Sequence, residues 1–183
     1  MMLVLGIDPG SVKTGWALVK SNGNKLEYIS SGVLKFDAKV EFLPRLTQIK
    51  VEIEKLISTI NPDEIAFESL IFVKSPTALI KLAQARGILL SALVEKYENR
   101  IYEYAPNLIK STAVGYGHAD KKSVQKFLDM LIGKQNYETD DESDAIAIAI
   151  CHHLNKGNKK ESIKRTKKRG GLAASLSHKI GSQ

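Results

Sequence analysis

Three acidic positions in this chain stand where chemistry can be done. Asp8 closes the apolar run Leu3-Val4-Leu5-Gly6-Ile7 and is followed at once by Pro9-Gly10-Ser11. Glu68 closes a second run, Glu64-Ile65-Ala66-Phe67, with Ser69 and the apolar group Leu70-Ile71-Phe72 after it. The third is the cluster Glu138-Thr139-Asp140-Asp141-Glu142-Ser143-Asp144, which enters the apolar stretch Ala145-Ile146-Ala147-Ile148-Ala149-Ile150. A carboxylate where a buried strand ends is costly unless it meets a metal or hydrogen-bond donors. Asp141 and Asp144 are three apart, so on a helix they project from one face. Hard divalent cations such as magnesium want oxygen ligands, which strand ends and a helix start can supply. Two such ions about 4 Å apart can activate a water and stabilise the leaving oxygen in phosphodiester hydrolysis. Each position also has a plainer explanation. Asp8 suits a turn before Pro-Gly, Glu68 an exposed strand end, and Asp141 an N-cap with Asp144 completing a capping box. Spacing alone leaves the choice open.

The elements that must position these acids follow from periodicity and turn chemistry. Short apolar runs bounded by Gly and Pro predict strands on either side of Asp8, the second being Trp16-Ala17-Leu18-Val19 after Thr14-Gly15. Ser21-Asn22-Gly23-Asn24 predicts a tight hairpin, and a third strand runs from Leu26 to Phe36. Pro44 fits a first helical turn, and Leu46, Ile49, Ile53, Leu56, Ile57 and Ile60 recur at helical spacing. Asn61-Pro62-Asp63 stops that helix, and 64–68 forms a fourth strand. A long helix from Pro76 to Glu98 is apolar on more than one side, which suits burial against the sheet and against a partner subunit. Ile101-Tyr102-Glu103-Tyr104 makes a fifth strand, Pro106 opens a short helix, and helices over 120–132 and 142–154 complete the chain. Three meandering strands followed by alternating helices and strands predict an α/β fold, a mixed sheet covered by helices.

The formal charge of +7 divides unevenly. Residues 155–183 hold nine Lys and Arg against one acid, while the other 154 hold 18 basic and 19 acidic groups. The body, residues 1–155, is therefore close to neutral, and 156–183 is a basic, Gly- and Ser-containing tail expected to be disordered. Such a tail offers salt-sensitive, sequence-blind attraction to a phosphate backbone, or simply solubility. A single cysteine, Cys151, excludes an internal disulfide and suits a reducing cytoplasm. No secretory signal pattern opens the chain, and no apolar stretch is read as approaching the roughly 18 residues of a membrane span.

The order and wording of the segments carry more than their spacing. Gly6-Ile7-Asp8-Pro9-Gly10-Ser11 with Thr14-Gly15 closely resembles the opening of the RuvC family of Holliday-junction resolvases, in the ribonuclease-H-like superfamily. The likeness continues collinearly through Ala66-Phe67-Glu68 and Lys81-Leu82-Ala83-Gln84-Ala85-Arg86-Gly87. It then takes in Tyr104-Ala105-Pro106, Gly115-Tyr116-Gly117 with Lys121, and Asp141 through Ala149. The resemblance implies a ribonuclease-H-like mixed five-stranded sheet, its first three strands antiparallel, with helices on both faces. It implies a metal site of Asp8, Glu68, Asp141 and Asp144 holding two magnesium ions, with Asp8 bridging and manganese as a substitute. It also implies a homodimer that nicks two like-polarity strands of a four-way DNA junction, leaving 5′-phosphate and 3′-hydroxyl ends. Lys121 matches a family lysine near the scissile phosphate, where a cation stabilises developing negative charge. Lys110 matches a basic position facing DNA, and Lys122 and Lys74 join it as candidate DNA contacts. A branch-migration complex of the RuvA–RuvB type is the further partner the resemblance brings, and no membrane is implied.

There are departures. Where the family often has a junction-wedging Phe, this chain has Ile71, followed by Phe72, so the wedge is Phe72 or a weaker aliphatic one. Ala83 replaces a family Gly, His118 stands where a small residue is frequent, and His152 and His153 read as surface or core histidines. Two rival functions are an actin- or sugar-kinase-like phosphotransferase and a junction-binding module without catalysis. The first needs a second domain for which 183 residues leave no room, and the second leaves all four acids unexplained. A nuclease of the same fold acting on flaps or other branched DNA is a nearer competitor.

Overall fold

The computed structural model describes residues 1–23, 25–70, 75–114, 121–135, 137 and 139–156, the backbone alone for Ala113, Val114 and Lys121. Ile71, Phe72, Lys74, Gly115 through His118 and the tail from 157 onward lie outside the described residues. Among the described residues the strands are β1 (Met2–Asp8), β2 (Lys13–Asn22), β3 (Lys25–Lys35), β4 (Glu64–Glu68) and β5 (Ile101–Tyr104). The helices are α1 (Phe42–Ile60), α2 (Pro76–Tyr97), α3 (Pro106–Val114), α4 (Lys121–Ile132) and α5 (Asp140–Asn155).

The strands form a mixed sheet in the order β3-β2-β1-β4-β5. The β1–β2 and β2–β3 pairs are antiparallel, whereas β1–β4 and β4–β5 are parallel. Gly23 turns the first hairpin with φ +61, the positive angle an Asn-Gly turn requires. Alternation along the strands then sorts side chains to two faces. Leu5, Ile7, Leu18, Ile65 and Phe67 pack with Ile49, Ile53 and Ile57 of α1 and Leu89 and Leu93 of α2. Val4, Ala17, Val19, Ala66 and Tyr104 pack on the opposite face with α3, α4 and α5. Each fully buried Ile or Leu contributes roughly 2 kcal/mol, so each helix is held by its apolar stripe. Asn61 ends α1 in the left-handed region at φ 46, its N–H bonded to the Ile57 carbonyl, and Pro62 prevents continuation.

Two expectations need correction. α5 starts at Asp140, and its N-cap is Thr139, which makes no side-chain capping bond. Asp141 is thus inside the first turn and not the N-cap of a capping box with Asp144. α2 is also long and apolar enough, by length and composition, to match a membrane span. Its buried residues Ala85, Arg86, Leu89, Leu93 and Tyr97 nevertheless form a stripe, and the apolar members pack in the α1 layer of the sheet.

Candidate active site

The strand parity that builds the core also aims the acids. Val4 and Gly6 face α5, so Asp8, two residues on, faces it as well; Ala66 faces α5, and so does Glu68. Ile7 pairs with Phe67 across the parallel β1–β4 ladder, so Asp8 and Glu68 lie side by side where the ladder ends. Asp8 also pairs with Gly15 on β2. A Cβ on Gly15 would lie 2.0 Å from the main-chain oxygen of Asp141, and one on Gly6 would lie 2.1 Å from that of Ala145. Both are far below any van der Waals contact, so the two glycines let α5 settle directly on the strands that carry Asp8. The sequence supplies the matching surface in Ala145, Ala147 and Ala149, all buried. Asp141 thus lies against the strand pair that carries Asp8, the Asp144 charge reaches Glu68, and all four acids are half-buried.

The turn between β1 and β2 is braced from within. Thr14, fully buried, places its hydroxyl 3.3 Å from both the N–H and the carbonyl of Gly10. Arg45 of α1, also buried, points its guanidinium at carbonyls alone: Asp37 at 3.1 Å, Ala38 at 2.9 Å, Val40 at 2.6 Å and, more loosely, Ser11 at 3.4 Å. It ties the segment after Asp8 to the loop between β3 and α1.

Two of the acidic charges, Glu68 and Asp144, oppose one another. Burial pushes the Glu68 carboxyl above its ordinary range, and the Asp144 charge pushes it further; Lys110 and Arg86 offset this only in part. Two nearby carboxylates disfavour each other's ionised form. Asp140, Asp141 and Glu142 occupy the first turn of α5, where the helix dipole favours negative charge. Among the described residues, no three acidic, histidine or cysteine side chains already close into a metal cage. The donor set of half-buried carboxylates with mutual repulsion nonetheless suits a hard divalent cation far better than a soft one.

Lys110 is exposed on α3 and its charge reaches Glu68, and Lys122 is exposed on α4. Lys121 opens α4, while Ile71, Phe72 and Lys74 fall outside the described residues. Sequence reasoning missed two supports. One is Arg86, 5% exposed, which donates from Nη1 to the Glu68 carbonyl at 2.7 Å. Its signal was a lone cation within the apolar stripe of a helix. The other is His152, fully buried, with Nε2 2.6 Å from Glu64 Oε2 and Nδ1 2.7 Å from the Tyr104 hydroxyl. A carboxylate only accepts, so Nε2–H donates to Glu64 and Nδ1 accepts from Tyr104. Lys156 closes the cluster, 2.7 Å from Glu64 Oε1.

The chain is similar to known proteins over most of its length. Residues 4–152 match the family described as crossover junction endodeoxyribonuclease RuvC. The protein of that name from Rhizobium leguminosarum bv. trifolii is 37% identical over 155 residues, 85% of this chain and 91% of that protein. The one from Brucella suis biovar 1 is 39% identical over 149 residues, 81% of this chain and 86% of that protein. Among solved structures, T. thermophilus RuvC in complex with a Holliday junction substrate superposes with a TM-score of 0.77 at 26% identity. That match covers 86% of this chain and 97% of the other. The yeast mitochondrial Holliday junction resolvase Ydc2 shares the fold, with a TM-score of 0.61 at 17% identity, covering 81% of this chain and 76% of that one.

Proposed function

The chain belongs to the crossover junction endodeoxyribonuclease RuvC family, and on that premise we propose that it resolves Holliday junctions by paired, symmetric, metal-dependent nicks. One juxtaposition carries this reading. The main chain of Asp141 presses on Gly15, the register partner of Asp8, while Glu68 ends the adjacent strand and feels the charge of Asp144. A bound divalent cation supplies Lewis acidity that makes water a nucleophile near neutral pH and neutralises charge on the phosphate. Asp8, Glu68, Asp141 and Asp144 are the residues that would hold it, in our reading as two magnesium ions. Lys121 and Lys110 bring positive charge to the phosphate as its negative charge grows. Lys122 and Lys74 contact the DNA backbone, and Ile71 or Phe72 enters the junction. Cleavage breaks the bond from phosphorus to the 3′ oxygen, leaving 5′-phosphate and 3′-hydroxyl ends.

Residues 1–155 constitute the nuclease unit in this reading, and the basic tail adds non-specific phosphate attraction. Two like-polarity nicks need two sites, and α2 offers the surface for a homodimer. Ile80, Gly87 and Val94 recur at intervals of seven on the side of α2 away from its buried stripe, with Ile80 58% and Val94 46% exposed. A Cβ on Gly87 would meet nothing within 4 Å, leaving room for a second backbone.

The test is cleavage of a mobile four-way junction against linear duplex and flap DNA, in magnesium and in chelator. Preferential nicking of the junction, dependent on magnesium, is expected; equal cutting of flaps, or cutting in chelator, overturns the assignment. Asp8→Asn should lower the nicking rate more than about 100-fold, beyond what loss of an outer-sphere partner costs, and leave junction binding intact. A variant that nicks at the wild-type rate in magnesium overturns the metal site.

A further inference from the structure

Arg86 occupies a place that packing alone does not explain. It lies in the stripe of α2 that otherwise buries Ala85, Leu89, Leu93 and Tyr97, yet it carries a full charge at 5% exposure. Its guanidinium is engaged on three sides. Nη1 donates to the main-chain oxygen of Glu68 at 2.7 Å, Nη2 pairs with the Glu103 carboxylate, and the guanidinium carbon lies 5.2 Å from the Phe67 ring centroid. Phe67 and Glu103 are themselves register partners across the β4–β5 ladder. Arg86 thus approaches from the α2 face and grips the backbone of the residue whose side chain points to the α5 face.

The grip falls where the β1–β4 ladder ends. The β1–β4 register closes at Ile7 and Phe67, whereas the β4–β5 register runs one pair further, to Glu68 and Tyr104. Beyond it Ser69 donates to the Tyr104 carbonyl at 2.9 Å. At a strand end, small changes in backbone angle swing the side chain. Fixing its carbonyl from below fixes the direction of the carboxylate above. We propose that Arg86 is a positioning residue for Glu68, holding the end of β4 so that the carboxylate is presented to the divalent cation. A lysine would keep the charge but lose the planar fork that reaches a carbonyl and a carboxylate together.

The inference rests on the metal-dependent nuclease reading, and its test separates the two. Arg86→Lys is compared with wild type in three measurements: the magnesium-induced rise in Tm of the DNA-free protein, junction binding in chelator, and single-turnover nicking against magnesium concentration. The expected result is a half-saturating magnesium concentration about tenfold higher, the size typical of outer-sphere support. A matching weakening of the magnesium effect on Tm and unchanged junction binding should accompany it. Wild-type magnesium dependence overturns the proposal. A rate loss equal at every magnesium concentration, with the Tm response intact, also overturns it by marking a merely structural role. If Arg86→Lys does not fold, Glu103→Gln decides, since it keeps the arginine and loosens one arm of the fork. A smaller shift in the same direction is expected, and none overturns the proposal. Failure of the wild-type chain to nick junctions sinks the function instead, while the DNA-free Tm measurement still judges Arg86.

Discussion

Glu64 and Glu68 sit four residues apart on one face of β4 and meet opposite electrostatics. At Glu68 burial and Asp144 act together against ionisation. At Glu64 burial also disfavours the charge, but hydrogen bonds and charge from Lys156 and His152 outweigh it, so its carboxyl is held below the usual 4.5. Burial likewise pushes the His152 imidazole below 6.5 against the pull of Glu64. The sign follows from proton counting. The unfolded chain binds more protons than the folded one from about 6.5 downward at His152, and below 4.5 at Glu64. Stability is therefore fully present above the ordinary histidine range and is lost as pH falls through these two windows. The melting temperature should fall as acid takes the pH through the histidine range, and His152→Asn should shrink that fall. It removes only part, because burial also lowers His153, whose Nε2 lies 3.1 Å from the Val19 carbonyl. A melting temperature indifferent to pH across the histidine range would contradict this. That Asp8 and Glu68 end strands was legible in the sequence because each closes an apolar run. The partner of Glu64 was not, since His152 lies 88 positions away and only the folded sheet brings them together.

Elements set the distances that residues use. The strands, the hairpin turn and the helices follow from periodicity and from Gly, Pro and Asn, and the structure departs mainly at ends, as where α5 begins two residues early. What periodicity leaves open is how closely an element sits on its neighbour. Gly6 and Gly15 read as parts of a motif, but their work is to admit the backbone of α5. Gly15→Ala would have to push Asp141 aside, and a displacement near 1 Å at a catalytic group costs about 100-fold. Nicking by this variant should fall by that order while junction binding persists, measured by gel shift in chelator beside single-turnover cleavage. A Gly15→Ala chain with full activity would show that α5 does not set the site. Arg45 and Arg86 escaped notice for a related reason: Arg45 bonds main-chain carbonyls and one arm of Arg86 does, and sequence does not display such acceptors.

On the scale of the whole molecule, one sheet separates two layers with different duties. The α3–α4–α5 layer carries Asp141, Asp144 and Lys110, while the α1–α2 layer carries the outward apolar face of α2 that we propose for a second copy. Arg86 crosses between them. Ile80→Glu sets a charge in the outward stripe of α2 and should yield a monomer by sedimentation, one that nicks single strands and no longer cuts both in one encounter. A dimer that survives the substitution would move the interface elsewhere. The open surroundings of Gly87 then make that residue a reporter of assembly. In a lone protomer alanine there meets nothing and, by helix propensity, should even raise stability by about 1 kcal/mol. Between two closely approached helices the same methyl group is an intruder. One substitution therefore carries opposite signs for folding and for association, and its net effect changes with protein concentration. A cell making little of the protein and a cell making much would rank the same variant differently.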